Sequence, residues 1–217
     1  MTSNRGARRI FLLSPANMDG LRFRLLLSER AEFDLAKRLR NGGAPLGEVF
    51  SFVSGLYFRG KLAYAEAFAE SCPGISGALV ITGCGGLIPP DRPITPEQLQ
   101  TFSATDLDPS DCRYRGPLVR DCRVLSAAVG AGCQVVLLGS IATPKYLDPL
   151  LEVFAERLFF PSEFIGRGDL SRGGLMLRSV RAGTQLSYVP AAETVLHGPK
   201  PAKLAAIPRG RGETRFG

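Results

Sequence analysis

The residues best equipped for chemistry lie at 159–178, FFPSEFIGRGDLSRGGLMLR, where Glu163, Arg167, Asp169, Ser171 and Arg172 stand among four glycines after a short apolar run. Glycine lets backbone N–H groups approach a ligand closely, and a carboxylate beside arginines is held in its charged form. Such a carboxylate suits a base, or a stabiliser of developing positive charge, better than an acid. Glu163 and Asp169 are therefore candidate catalytic groups, with Asn17 and Arg167 orienting a substrate. The plain structural alternative is a helix over 171–181 capped by Ser171, with Arg167, Asp169 and Arg172 pairing around the cap.

Three other junctions carry similar groups. Ser14-Pro15-Ala16-Asn17 ends a strand-like run with a turn signal. Residues 54–61 gather Tyr57, Arg59 and Lys61, so that a base or ribose could stack on the ring while a cation meets a phosphate; equally, such a ring can be core and such cations surface. Residues 139–146 place Ser140 and Lys145 before a helix N-terminus, a reasonable phosphate or carboxylate pocket. The order is not that of a P-loop, and Thr143 as N-cap with Pro144 in the first turn explains it as well. A further loop, residues 82–86, offers Gly85 and the thiol of Cys84, where the bland reading is a small residue in a tight turn. It lacks the G-x-G-x-x-G spacing and runs into Pro89-Pro90, which argues against a dinucleotide site.

These junctions need a scaffold, and the hydrophobic pattern supplies one. Residues 9–13, 77–82 (GALVIT), 133–138 (CQVVLL) and 157–160 read as buried strands, with 186–190 as a last short one. Between them, helical spacing predicts helices over 21–40, 59–69, 96–102, 114–129 and 147–158. The expected architecture is α/β: three layers, a mainly parallel sheet flanked by helices, with a ligand crevice at the carboxyl ends of the strands. Four strand exits (14–17, 82–86, 139–145 and 163–172) should then share one edge. The acidic, proline-rich excursion at 91–110 is expected to cover a sheet edge or the site.

With 217 residues, 45% hydrophobic and 22% charged, one domain is expected over 9–197, between a basic tail at 1–8 and a basic Pro/Gly-rich tail at 198–217. The net charge of +7 resides in the ends: residues 1–9 carry +3 and residues 198–217 carry +4, leaving the body neutral. Such tails add sequence-independent affinity for phosphates without defining a function. The five cysteines (72, 84, 112, 122 and 133) form no C-x-x-C pair, and His197 has no evident partner, so free thiols and no metal or cofactor are expected. No apolar run nears the roughly 20 residues of a membrane span. The expectation is a cytoplasmic chain with no membrane partner and an unspecified oligomeric state.

The motifs LLSPAN (12–17), LYFRGKLAYAEAFA (56–69), ALVITGCGGLIPPDRPI (78–94) and the G-R-G-D-L-S-R-G-G helix start resemble the YaaA-like and DUF6884-type domains, over residues 9–180. Asn17 stands where that pattern has a lysine. The resemblance implies a partner that is a nucleobase, nucleotide or DNA. Two functions follow as expectations. One is a hydrolase acting on a base or N-glycosidic bond, with the polar residues 14, 17, 57, 59, 61, 85, 140, 145, 163, 167, 169, 171 and 172 as its site. The other is a non-catalytic DNA-binding module of stress response, in which the cations and tails hold phosphates.

Overall fold

A computed structural model describes residues 8–70, 73–193 and 204. The N-terminal tail, Cys72, His197 and nearly all of the C-terminal tail lie outside the described residues. The chain runs β1 (Arg9–Leu13), α1 (Leu21–Leu26), α2 (Asp34–Gly42), β2 (Ala44–Pro45), α3 (Leu46–Ser54), α4 (Leu56–Phe68), β3 (Ala78–Ile81), β4 (Leu87–Ile88) and β5 (Pro93–Ile94). It continues through α5 (Pro96–Ser103), α6 (Cys112–Val129), β6 (Gln134–Leu138), α7 (Pro144–Phe154), β7 (Leu158–Pro161), α8 (Asp169–Ala182) and β8 (Tyr188–Pro190).

Six strands form one sheet in the order β4-β3-β1-β6-β7-β8, while β2 and β5 make a separate two-stranded ribbon. The four inner strands are parallel, with Phe11 opposite Ala78 on one side of β1 and opposite Val136 on the other. The edge strands β4 and β8 run antiparallel to their neighbours. In β1, residues 10–13 are all fully buried, as are residues 135–138 of β6. That explains why these strands read as unbroken apolar runs: helices cover both faces of a parallel sheet, so no side chain faces water. The expected α/β class is therefore the observed one.

From β1 the chain crosses to β3 on one side, and from β6 it crosses to β7 on the other. Because such crossovers are right-handed, the intervening helices fall on opposite faces. Accordingly, α3, α4 and α8 pack together, while α6 and α7 pack on each other. The order reverses between β1 and β6, so the crevice outside their carboxyl ends is where a ligand site is expected in an open α/β sheet.

Several helix boundaries differ from the sequence expectation: α4 begins at Leu56, before the expected 59, and α7 spans Pro144–Phe154 where the spacing predicts 147–158. The segment 21–40 is two helices, with residues 27–33 between α1 and α2. The apolar stretch 46–54 is itself a helix, ended by Gly55 at a φ of +63°, where a side chain would be strained and would also meet the Arg22 guanidinium. Finally, α8 begins at Asp169 with Gly168 as its N-cap, so Ser171 lies in the first turn and caps nothing. Its hydroxyl instead accepts from Arg167 Nη1 at 3.3 Å.

Candidate functional site

Two glycine contacts set the geometry of the crevice. A Cβ on Gly139 would lie 3.0 Å from Ser14 Cβ and 3.2 Å from its Oγ, so glycine lets the exits of β1 and β6 touch. A Cβ on Gly173 of α8 would lie 2.8 Å from Leu56 O and 2.9 Å from Tyr57 Cα, and one on Gly60 of α4 would lie 2.7 Å from Gly173 O. Backbone thus meets backbone where α4 crosses α8. The crossing brings Asp169 and Arg172, at the start of α8, beside Tyr57 and Lys61 on α4.

Helical periodicity places Tyr57, Lys61 and Tyr64 on one face of α4, and all three are buried. Arg59, two residues from Tyr57, emerges on the exposed side. Lys61 has no solvent exposure, and its ammonium Nζ bonds to two atoms of one residue: the carbonyl oxygen of Ser14, and Ser14 Oγ at 2.9 Å. Tyr57 and Phe58 present their rings to the same nitrogen at 4.4 and 4.9 Å. Among the described residues no carboxylate pairs with it. Burial pulls its pKa down to about 7, with Asp169 opposing the shift and Arg172 adding to it.

Ser14 is itself buried, and its hydroxyl also reaches the Leu138 carbonyl at 3.3 Å. The hydroxyl of Tyr57 is buried, and among the described residues it makes no hydrogen bond of ordinary geometry. Burial raises its pKa, while the Arg172 and Ser14 side chains stand close enough to hydrogen-bond it weakly and oppose that shift. A buried polar group left poorly paired costs about 1–3 kcal/mol, so such a hydroxyl beside a cavity has hydrogen-bonding capacity to offer a ligand. Arg172 donates from Nε and Nη2 to the Phe164 carbonyl at 3.2 and 3.1 Å, and its Nη1 stands 3.8 Å from Asp169 Oδ1.

Above this floor opens a cavity of about 550 Å³. Ser14 and Asn17 line it from the exit of β1, Ser140 and Lys145 from the exit of β6, Tyr57 from α4 and Asp169 from α8. Ser54, Tyr146 and Asp19 complete these walls, and Ser103, Thr105, Asp106 and Leu107 close the far side. That far side belongs to the excursion at 91–110, which therefore covers part of the site. The Asn17 side chain accepts from Asp19 N at 3.1 Å, shaping the turn beyond Ser14.

Other candidate residues lie apart from the cavity lining. Glu163 accepts from Ser187 N at 2.9 Å and from Ser162 Oγ at 3.2 Å, fastening the segment that leads into β8. Arg167 donates from Nε to the Glu163 carbonyl at 2.9 Å. Gly85 N bonds to Thr82 Oγ1 at 3.1 Å, which in turn donates to Gly86 O at 3.1 Å. A Cβ on Gly83 would sit 2.4 Å from Phe102 O, and one on Gly86 would sit 2.1 Å from Asp121 Oδ2. The close approaches that required glycine in this loop are thus to the protein itself, and half-buried Cys84 does not line the cavity. Among the described residues no group of three His, Cys, Asp or Glu side chains could hold a metal, and no helix is long and apolar enough to cross a membrane. No protein-family model, curated protein or solved structure matches this chain.

Proposed function

We propose that the chain is an enzyme acting on a small polar molecule of nucleoside size, bound in the crevice between the exits of β1 and β6. The observation that carries this reading is Tyr57, a residue of the cavity lining whose buried hydroxyl makes no hydrogen bond of ordinary geometry among the described residues, next to the Ser14–Lys61 pair. A volume of about 550 Å³ is in the range of sites for small organic ligands. The lining is dominated by hydroxyls, an amide and carboxylates, which favours a ligand rich in hydrogen-bonding groups over an apolar one. The nucleobase component of the reading comes from the resemblance to YaaA-like domains.

Charge favours a nucleoside over a DNA backbone. Three carboxylates, Asp19, Asp106 and Asp169, line the cavity against one lysine, Lys145. Carboxylates bind ribose hydroxyls well and repel phosphates. Thermal-shift and calorimetric titrations with adenosine, guanosine, AMP, inorganic phosphate and a short DNA duplex test this. We expect a nucleoside to raise the melting temperature and the Tyr57→Phe variant to bind it about tenfold more weakly, the loss of one hydrogen bond to a desolvated group. A response to DNA alone, unchanged in Tyr57→Phe, overturns the crevice reading in favour of a DNA-binding module.

A further inference from the structure

We infer that Ser14 is a nucleophile and Lys61 its general base, and that the bond attacked is the acyl bond of a small polar ester or amide. This rests on the crevice reading above and names the chemistry of that site. Ser14 lines the cavity, and its Oγ lies 2.9 Å from Lys61 Nζ, within the distance over which a hydroxyl passes its proton to an amine. The amine is wholly buried, its hydrogen bonds among the described residues go to Ser14 oxygens and two aromatic rings face it, so solvent does not compete for its lone pair. Its other hydrogen bond, to the Ser14 carbonyl, fixes it against the serine while leaving one position of a neutral amine to accept.

The surroundings favour a carbonyl centre. Pro15 follows Ser14 and has no N–H, so the peptide after the serine cannot stabilise an oxyanion. The Tyr57 hydroxyl, buried beside Ser14 and Arg172 with no hydrogen bond of ordinary geometry among the described residues, is a single neutral donor suited to that charge. Attack transfers the Ser14 proton to Lys61 and forms the Oγ–C bond. Collapse breaks the bond to the leaving alcohol or amine, which takes the proton back from Lys61. Water then cleaves the acyl-serine by the same proton path, giving a carboxylic acid and free Ser14.

The titratable groups around Lys61 are Tyr57 on its own helix and Asp169 and Arg172 on α8, with Tyr57 and Asp169 in turn acting on Tyr146 of α7. Asp169 favours the charged amine, while burial and Arg172 favour the neutral one; the balance leaves a useful fraction of base near pH 7.

The test uses the full chain with p-nitrophenyl acetate and a fluorophosphonate probe, read by nitrophenolate release, intact mass and peptide mapping. The expected result is one label per chain at Ser14, absent in Ser14→Ala, slowed about a thousandfold in Lys61→Met, and rising with pH around a midpoint near 7. Labelling of Lys61→Met at the wild-type rate makes Lys61 a strut and overturns the proposal, as does a label on another residue or none. Nucleoside binding measured in Ser14→Ala separates the two readings: binding without acylation of the wild type removes only this one.

Discussion

Lys61 and Arg172 at the crevice floor bond to neutral oxygens of Ser14 and Phe164, whereas Arg115 and Arg123 on the outer surface of α6 share the carboxylate of Glu152 on α7. The first pair is shielded: Lys61 is fully buried and the Arg172 side chain is 12% exposed. In the second, Arg115 and Arg123 side chains are 39% and 67% exposed. Arg120 nearby pairs with Asp121 at 2.8 Å in the same open setting. Surface ion pairs answer their own charge and contribute little. Lys61, held by uncharged oxygens, and Arg172, whose one ion pair among the described residues is the long contact to Asp169, remain able to respond to what enters the cavity, so the partner, more than the cation, separates a site from a surface.

The largest effect should come from the helix crossing that holds the floor together. Gly173→Ala offers up to about 1 kcal/mol of helix propensity, but its methyl meets the α4 backbone, where nothing can rotate away. We expect a net loss of about 1–3 kcal/mol in urea denaturation, together with weakened ligand binding. Unchanged stability would mean that the helices separate freely and the floor is not rigidly set.

Next in size is a pH effect. The pKa of Lys61 falls from about 10.5 unfolded to about 7 folded, so between these values the unfolded chain binds more protons. Stability should therefore rise with pH from 7 to 9, by at most about 1.4 kcal/mol per unit, and Lys61→Met should lack that rise. Above pH 9 the sign turns, because burial pushes Cys122 up to about 12 and raises Tyr57 and Tyr114, so the unfolded chain loses those protons first. A parallel pH profile for both proteins would remove Lys61 from its charged-to-neutral role. Least of all, Arg123→Ala should change stability by less than about 0.5 kcal/mol and by less still in high salt. A larger loss would erase the distinction between the two clusters.

Much of the scaffold was legible because buried parallel strands leave a direct trace: residues 10–13 and 135–138 are apolar without interruption and wholly enclosed. The α1–α2 break was not, since residues 27–33 keep enough apolar spacing to continue a helical pattern while tertiary packing turns the chain. Of the site, Ser14, Asn17, Tyr57, Ser140, Lys145 and Asp169 meet around one cavity, as their positions at strand exits and at a helix start suggested. Lys61 reads in the sequence either as a cation meeting a phosphate or as an ordinary surface cation, and neither reading buries it, since lysine is rarely enclosed. Its spacing of four from Tyr57 and three from Tyr64 was the available signal that it shared their buried face. The wall from Thr105 to Leu107 lies in the acidic, proline-rich excursion expected to cover an edge or the site, and Ser54 in the junction 54–61, but which of their side chains line the crevice only the folded chain decides. Glu163 and Arg167 illustrate the opposite case, polar residues in a glycine-rich loop whose observed bonds run to backbone and neighbouring hydroxyls.

The borders of the sheet have a consequence for how this chain meets its own copies. β4 has only two residues and is followed by Pro89-Pro90, while β8 has three and ends in Pro190. Proline brings no donor to a ladder, and so short a border gives an incoming strand little to zip onto. Growth by recruiting a neighbouring molecule's strand is discouraged at both margins, which protects a crowded solution of folded chains from fibre formation.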